Sequence, residues 1–260
     1  MRMGFGIGKA VVLGVLLGGA GSALAEPPTR HARLADPGMA AQESAVSDGD
    51  VAAWVAGFRP RAEAAGITPA TLDAALGGVG WRGDVVEKDR NQTEFTRTIW
   101  DYLDRAVSPD RIAAGRKALK HRAALLDAIE ARYGVDRQVL LAIWGLESSY
   151  GAVRGDIPTV AALVTLASST RRGAYFEREL LAALLILQEG DVTAQAMQGS
   201  WAGAMGHTQF MPSSYLALAV DFDGDGRRDI WGDDPGDALA STAAFLARWG
   251  WRKGEPWVQR

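Results

Sequence analysis

The segment Asp136-Arg-Gln-Val-Leu-Leu-Ala-Ile-Trp-Gly-Leu-Glu147-Ser-Ser-Tyr-Gly151 predicts a helix with a carboxylic acid on its apolar side. Its apolar residues Leu140, Ile143 and Trp144 recur at i, i+3 and i+4. Glu147 stands at i+7 of that series and is therefore expected on the buried stripe.

The position of Glu147 suits a general acid. Asp136 can cap the start of the helix and Gly151 can end it, which places Glu147 in the last turn, near the negative end of the dipole. Apolar neighbours and the dipole both disfavour the ionised carboxylate, and an acid that keeps its proton near neutral pH can donate it to a leaving group. The alternative is a glutamate that snorkels from the helix end or pairs with Arg154.

The N-terminal residues indicate export. Residues 1–25 read as a signal peptide, with Arg2 and Lys9 before a short apolar stretch and Ala23-Leu24-Ala25 as the cleavage site. The stretch is too short for an ordinary transmembrane anchor, so we expect a soluble periplasmic protein. Residues 26–48 are rich in Pro, Gly and small polar residues and predict a flexible tether, which leaves 49–260 as the folded domain.

Composition excludes several kinds of chemistry. Removal of residues 1–25 takes two of the 28 Lys+Arg and none of the 31 Asp+Glu, which leaves 26 against 31 and a net charge of −5. A nucleic-acid partner is not expected at that charge. The chain has no Cys and three scattered His, which excludes thiol catalysis and argues against a zinc site. Carboxylate catalysis and oxygen-ligand metal binding remain, with no organic cofactor.

Helical signals dominate from Asp50 onward and predict a mostly α fold. A helix start is expected at Thr68-Pro69, with Thr68 as the cap. Further helices are expected at residues 108–119, 121–133, 136–149, 174–189 and 237–249. Short strands are expected around 83–98 and beside an Asp-rich loop.

That loop, Asp221-Phe-Asp223-Gly-Asp225-Gly226-Arg227-Arg-Asp229, matches the first nine positions of an EF-hand calcium loop. It has carboxylates at positions 1, 3, 5 and 9, a glycine at 6 and a backbone carbonyl at 7. Position 12 is Gly232 instead of the usual Glu, so the last ligand falls to Asp233, Asp234 or Asp237. The pattern predicts a structural Ca²⁺ site, and the alternative is a solvated Asp-Gly turn.

The segment Gly199-Ser-Trp-Ala-Gly-Ala-Met-Gly-His-Thr-Gln209-Phe-Met-Pro-Ser-Ser-Tyr215 carries almost no charge. Ser200 and Gln209 offer hydrogen bonds without net charge, and Trp201, Phe210 and Tyr215 offer flat apolar faces. The mixture is typical of a sugar-binding wall. The alternative is a Gly-rich loop that leads into a buried helix.

In chain order, Glu147-Ser-Ser-Tyr-Gly151, the 199–215 segment and the Asp221 loop resemble the lytic murein transglycosylases of the MltB type, glycoside hydrolase family 103. The resemblance takes in Arg171-Arg172…Tyr175-Phe176 and runs from about residue 50 to the end. It implies a mostly α-helical, lysozyme-like core with an attached helical domain and a small region around the calcium loop at 221–237.

The resemblance also implies roles for individual residues. Glu147 becomes the catalytic acid and base, and Arg171 and Arg172 face the acidic stem peptide. The expected glycan contacts are Tyr150, Ser200, Gln209, Phe210 and Tyr215. The expected calcium ligands are Asp221, Asp223, Asp225, the carbonyl of Arg227, and Asp237, which falls two residues later than usual.

Two departures from the family pattern affect these expectations. His207-Thr208 stand where a Tyr-Gly pair is usual, and we expect them to alter a subsite without touching the acid. Family members continue past the equivalent of Arg260 with a segment that completes the cleft, so we expect the usual C-terminal segment to be missing.

The activity implied is a peptidoglycan lytic transglycosylase that cleaves the MurNAc–GlcNAc β-1,4 bond of glycan strands and leaves 1,6-anhydro ends. One alternative is a lysozyme-like hydrolase with a second carboxylate; Asp156, the acid nearest Glu147, is expected on the surface beside Pro158. The other is a calcium-stabilised peptidoglycan-binding module without activity. We expect a monomer, and the sequence does not identify protein partners.

Overall fold

The computed structural model of the protein describes residues 47–91 and 98–255. The predicted signal peptide and residues 26–46 of the predicted tether lie outside these ranges. The last two tether residues already belong to the fold, because Ser47 caps the first helix with a capping box and Asp48 begins it.

The described residues form eleven helices and two short strands. The helices are α1 (Asp48–Ala64), α2 (Pro69–Leu76), α3 (Gly83–Arg90), α4 (Ile99–Ala106), α5 (Pro109–His121), α6 (Ala123–Tyr133), α7 (Arg137–Ser148), α8 (Thr159–Ser169), α9 (Gly173–Glu189), α10 (Pro212–Leu218) and α11 (Gly236–Arg248). The five helix ranges predicted from the sequence are confirmed as α5, α6, α7, α9 and α11. Thr68 caps α2 and Pro69 begins it, as predicted.

The strands are not where the sequence suggested. β1 (Ile157–Pro158) and β2 (Gln198–Gly199) pair antiparallel, with Ile157 opposite Gly199. The predicted strand near 83–98 is wrong over Gly83–Arg90, which is α3, and residues 92–97 lie outside the described ranges. Asp84 in the first turn and Lys88 in the last fit the helix dipole, a helical signal that the strand interpretation overlooked. In the described part of the chain, no strand lies beside the Asp-rich loop.

Two hydrophobic cores hold the molecule together. The first lies among α1, α2, α8 and α9, where α8 and α9 pack most extensively against each other. Its largest fully buried side chains include Phe58, Leu72, Leu163, Phe176 and Leu184. The second lies among α6, α7 and α11 and is built on Leu126, Ile129, Leu140, Leu239 and Ala243.

The two segments that carry the candidate site, α7 and residues 199–215, belong to different cores. Trp144 of α7 belongs to the second core, whereas Met205 and Phe210 of the 199–215 segment belong to the first. Phe245 of α11 packs against both cores. No helix within residues 47–91 and 98–255 is long and apolar enough to cross a membrane.

Candidate active site

The chain reverses direction immediately after Glu147. α7 ends at Ser148, and Ser149, Tyr150 and Gly151 follow with φ values of 51°, 61° and 85°. The amide of Ser149 donates to Gly145 O at 3.2 Å, and the amide of Tyr150 donates to Trp144 O at 3.2 Å. The cap is therefore Ser149, and the prediction that Gly151 ends the helix is wrong. Three successive left-handed residues turn the chain sharply and keep Glu147 in the last helical turn.

The start of α7 also differs from the prediction. Asp136 occupies the cap position, but its side chain makes no capping hydrogen bond. Its backbone carbonyl instead accepts from Val139 and Leu140.

Glu147 is half-buried, and burial raises its pKa to about 7. Within the described ranges, its carboxylate makes no hydrogen bond or ion pair, and no charged group contributes to the raised pKa. Arg154, the alternative ion-pair partner, donates to Gly232 O at 2.6 Å and lies 3.4 Å from Asp233 Oδ1. The pairing of Glu147 with Arg154 is therefore wrong. A carboxyl group in this environment can act as a proton donor near neutral pH.

Ser200 and Gln209 lie against the loop that follows Glu147. Gly155 meets the backbone of Gly199 and Ser200 so closely that a Cβ atom would not fit there. Gln209 has a φ of 53°, and its side-chain amide donates to Gly206 O at 2.9 Å and to Arg154 O at 3.1 Å. The Ser200 hydroxyl accepts from the Ala204 amide at 3.1 Å. These contacts bring the two predicted glycan ligands beside the end of α7.

The three aromatic residues predicted to contact glycan make internal contacts. Tyr150 is half-buried, with its hydroxyl 3.0 Å from Arg111 O and its ring against Gly145. Phe210 is 7% exposed and lies edge-on to Phe245. For Tyr150 and Phe210, contact with glycan stays a prediction.

The role predicted for Tyr215 is wrong. Its side chain is fully buried, and its hydroxyl donates to Arg228 O at 2.6 Å. It therefore supports the core and has no free face for a ligand.

The two adjacent arginines have different surroundings. Arg172 Nη2 lies 2.6 Å from Asp89 Oδ1, and the Arg172 guanidinium lies 5.1 Å from the Phe176 ring centroid. Arg171 is exposed and makes no hydrogen bond or ion pair with the described residues. The contact with α3 and α9 gives Arg172 a structural role, whereas Arg171 is free to meet a ligand.

The Asp-rich loop brings three carboxylates together. Asp221, Asp223 and Asp225 each offer an oxygen, and these oxygens lie within 4.8 Å of one another. Asp221 accepts from the amides of Gly224 and Gly226 at 2.7 and 2.9 Å, which folds the loop around its first carboxylate. Converging carboxylates at positions 1, 3 and 5 fit a hard divalent cation, and Ca²⁺ prefers such oxygen ligands.

Among the three alternatives for the last ligand, Asp237 has the most suitable position. Burial raises the pKa of Asp237, and the charges of Asp223 and Asp221 act in the same direction, although two backbone hydrogen bonds oppose them. Those bonds come from the amides of Phe222 and Asp229, both at 2.8 Å.

Asp233 and Asp234 are directed elsewhere. Asp233 lies 3.4 Å from Arg154, and Asp234 lies 3.1 Å from Arg122. The role of Asp237 as a ligand stays a prediction, and so does that of the Arg227 carbonyl.

Sequence reasoning did not predict the burial of His207. Its ring is 2% exposed and packs against α7, where Trp144 Nε1 is 3.1 Å from His207 Nδ1. Among the described residues, the ring makes no hydrogen bond to the Glu147 carboxyl group, so the expectation that this position leaves the acid untouched stays a prediction. A loop without periodicity offers no signal of such burial.

Comparisons with known proteins agree with this arrangement. The profile of the transglycosylase SLT domain family matches residues 50–260. Membrane-bound lytic murein transglycosylase B of Escherichia coli (strain K12) is 37% identical over 155 residues, which cover 59% of this chain and 42% of that protein.

Two solved structures illustrate the structural similarity. SltB3 from Pseudomonas aeruginosa in complex with NAG-NAM-pentapeptide is 51% identical, with a TM-score of 0.77 over 80% of this chain and 55% of that one. Escherichia coli Slt35 in complex with calcium is 29% identical, with a TM-score of 0.69 over 83% and 70%. The mostly helical, lysozyme-like fold expected from the sequence is confirmed.

The chain spans less than half the length of the Escherichia coli relative and little more than half the length of SltB3. Within that span, the family match covers every helix described above, apart from the first two residues of α1. The chain therefore belongs to the transglycosylase SLT domain family.

Proposed function

We propose that the protein is a peptidoglycan lytic transglycosylase in which Glu147 is both the acid and the base. The observation that carries this proposal is the half-buried carboxyl group of Glu147, whose pKa is about 7, at the end of a helix whose following loop contacts Ser200 and Gln209. SltB3 has been solved with NAG-NAM-pentapeptide and with NAG-anhNAM-pentapeptide. Those complexes support a glycan substrate with a stem peptide and an anhydro-sugar product.

In the proposed reaction, protonated Glu147 gives its proton to the glycosidic oxygen, and the bond from that oxygen to C1 of MurNAc breaks. The resulting carboxylate then removes the proton from the 6-hydroxyl of the same MurNAc, whose oxygen forms a bond to C1. Glu147 ends in its starting state and no water is consumed. Attack within one sugar has the rate advantage of proximity.

The electrostatics of Glu147 favour this route over hydrolysis. A retaining glycosidase places its second carboxylate about 5 to 5.5 Å from the acid, and such a charge raises the acid's pKa further. Among residues 47–91 and 98–255, burial alone accounts for the raised pKa of Glu147. A single carboxyl group that acts twice is therefore the simpler chemistry for this site.

We also infer that the 221–237 region holds a structural Ca²⁺, with Asp221, Asp223, Asp225, the Arg227 carbonyl and Asp237 as ligands. The three converging carboxylates and the calcium complex of Slt35 support this inference. When bound, the cation neutralises negative charge at the loop and fixes its conformation.

The proposed substrate places the protein in the periplasm. The signal peptide predicted at residues 1–25 supports export, and the net charge of the remaining chain supports a partner other than nucleic acid.

Mass spectrometry of purified sacculi digested with the protein tests the function. We expect 1,6-anhydro-MurNAc ends, which lack one water relative to hydrolysis products. Reducing MurNAc ends would instead identify a hydrolase. No release of fragments, together with binding to sacculi, would identify a binding module.

A further inference from the structure

We propose that His207 is a positioning residue that holds the Glu147 end of α7 against the segment Ile230–Gly232. The inference rests on the proposed function of Glu147 and concerns a residue that itself touches no substrate. His207 contacts two residues of the catalytic helix on one side and two of the calcium-loop segment on the other. It therefore joins the helix that carries Glu147 to the segment that follows the Asp-rich loop.

On the α7 side, the contacts come from the residues around the acid. Trp144, three residues before Glu147, donates to His207 Nδ1 at 3.1 Å. Ser148, the residue after Glu147, donates to the His207 carbonyl oxygen at 2.6 Å. A Cβ atom at Gly151 would lie 2.5 Å from the His207 ring, so the chain that leaves the helix closes directly on the imidazole.

On the other side, the contacts come from the chain that follows the Asp-rich loop. The His207 amide donates to Ile230 O at 3.1 Å, and His207 Nε2 lies 2.8 Å from Gly232 O. Arg154 Nη1 donates to the same Gly232 oxygen at 2.6 Å and lies 3.2 Å from His207 Nε2.

These contacts determine where the ring proton lies. The indole N–H of Trp144 can only donate, so Nδ1 accepts, and the Gly232 carbonyl can only accept, so Nε2 carries the proton. The opposite tautomer would set two N–H groups against each other at Trp144 and remove the imidazole donor from Gly232 O. Arg154 Nη1 lies 3.2 Å from Nε2 but already donates to Gly232 O at 2.6 Å, so it does not need Nε2 as an acceptor.

The charged form of His207 is disfavoured for the same reason. A second ring proton would face the Trp144 N–H and would add a positive charge beside Arg154. Burial lowers the pKa of His207, and Arg154 acts in the same direction, although the bond to Gly232 and the charges of Asp229 and Asp233 oppose them. His207 is thus a neutral ring with one donor and one acceptor, both used to join separate segments.

Two substitutions separate the hydrogen bonds from the volume of the ring. His207→Phe keeps a ring of similar size, leaves Trp144 Nε1 without its acceptor and leaves Gly232 O with Arg154 as its donor. His207→Gln has one amide donor and one carbonyl acceptor and can restore both bonds. Thr242→Val is the control, because Thr242 is buried in α11 and its hydroxyl donates to Ala238 O at 2.8 Å rather than to His207, α7 or residues 230–232.

The first experiment does not depend on activity. With ¹⁵N-histidine labelling, and the His207 signals assigned by their loss in His207→Gln, we expect the neutral Nε2–H tautomer at pH 7 and pH 8. Hydrogen exchange of the amides of residues 149–151 should accelerate about tenfold or more in His207→Phe and remain near wild type in Thr242→Val. An Nδ1–H tautomer, or unchanged exchange in His207→Phe, would overturn the proposal whether or not the wild type cleaves glycan.

The second experiment measures kcat and KM separately on purified glycan strands. A small displacement of a catalytic group costs up to about 10²-fold in rate, so we expect His207→Phe to lower kcat at least tenfold with KM within about twofold. His207→Gln should recover most of kcat, and Thr242→Val should keep the wild-type kcat. A fully folded His207→Phe with wild-type kcat would reduce His207 to a packing residue. Inactivity of the wild type itself would overturn the proposed function and leave the exchange result to decide the role of His207.

Discussion

Arg172 and Asp89 form an ion pair between α9's N-terminal end and α3, with Arg172 Nη2 2.6 Å from Asp89 Oδ1. The neighbouring Arg171 is exposed and makes no such contact with the described residues. Two cations that are adjacent in sequence therefore divide into one that holds helices together and one that faces solvent.

Arg171→Ala is expected to weaken the use of peptide-bearing glycan more than the use of peptide-free glycan, about threefold or more in kcat/KM. The reason is that an exposed guanidinium can hold a stem-peptide carboxylate in a bidentate pair. The measurement compares both substrates at fixed ionic strength, because exposed charges are screened by salt. Equal losses on both substrates would mean that Arg171 is a solvated surface residue that does not bind the stem peptide.

Arg172→Ala is the matched change, and we expect it to act on stability. Loss of the pair with Asp89 and of the contact with Phe176 should lower the free energy of unfolding by about 1 kcal/mol, since both side chains are partly exposed. Urea denaturation measures the change. If the unfolding curve of Arg172→Ala is the same as that of wild type, the ion pair contributes nothing to stability.

Glu147→Gln is expected to abolish cleavage and leave the fold intact. The amide preserves the shape of the side chain but cannot supply the proton, and general acid catalysis is worth about 10² to 10⁴-fold. Turnover on sacculi measures the loss, with circular dichroism as the control for folding. Turnover within about tenfold of wild type would mean that Glu147 is not the catalytic acid.

The same substitution should change how stability depends on pH. Because the folded state raises the pKa of Glu147 from 4.5 to about 7, it retains a proton that the unfolded chain loses, so its contribution to stability falls as pH rises from 4.5 to 7. Glu147→Gln lacks this loss. Between pH 4.5 and pH 8, its free energy of unfolding should therefore rise relative to that of wild type, by less than about 3 kcal/mol because Glu147 is partly exposed. Urea denaturation at both pH values tests it, with Glu63→Gln on the exposed surface of α1 as the control for losing a carboxylate. A parallel pH dependence of wild type and Glu147→Gln would contradict the raised pKa.

Millimolar Ca²⁺ is expected to raise the melting temperature, and Asp225→Ala to abolish the rise. A ligand that binds only the folded state stabilises it by about 2.7 kcal/mol at 100-fold excess over its dissociation constant. Asp233→Ala is the matched control, because Asp233 is a fully exposed carboxylate outside the cluster of three. No difference between calcium and chelator in the wild type would identify the loop as a solvated turn.

The sequence predicted the parts of the fold that depend on local pattern. The periodic apolar residues of α7, the cap at Thr68 and the alternating aspartates after Asp221 each have a short-range physical cause. α8 was missed because it is apolar on most of its surface, and a helix buried on both sides has no stripe to detect.

Contacts between distant segments could not be predicted from the sequence in the same way. The burial of Tyr215 and the place of His207 behind α7 depend on which elements meet in three dimensions. The pair between Arg172 and Asp89 joins residues 83 positions apart. No local pattern in the sequence encodes such a pairing.

The two hydrophobic cores have a consequence for how the protein loses activity. Glu147 belongs to a helix of the second core, whereas Met205 and Phe210 anchor the segment with Ser200 and Gln209 in the first. Loss of packing in either core is therefore expected to displace Glu147 relative to Ser200 and Gln209. We expect heat inactivation to follow the less stable of the two cores, and stabilising substitutions to extend activity most when they fall in that core.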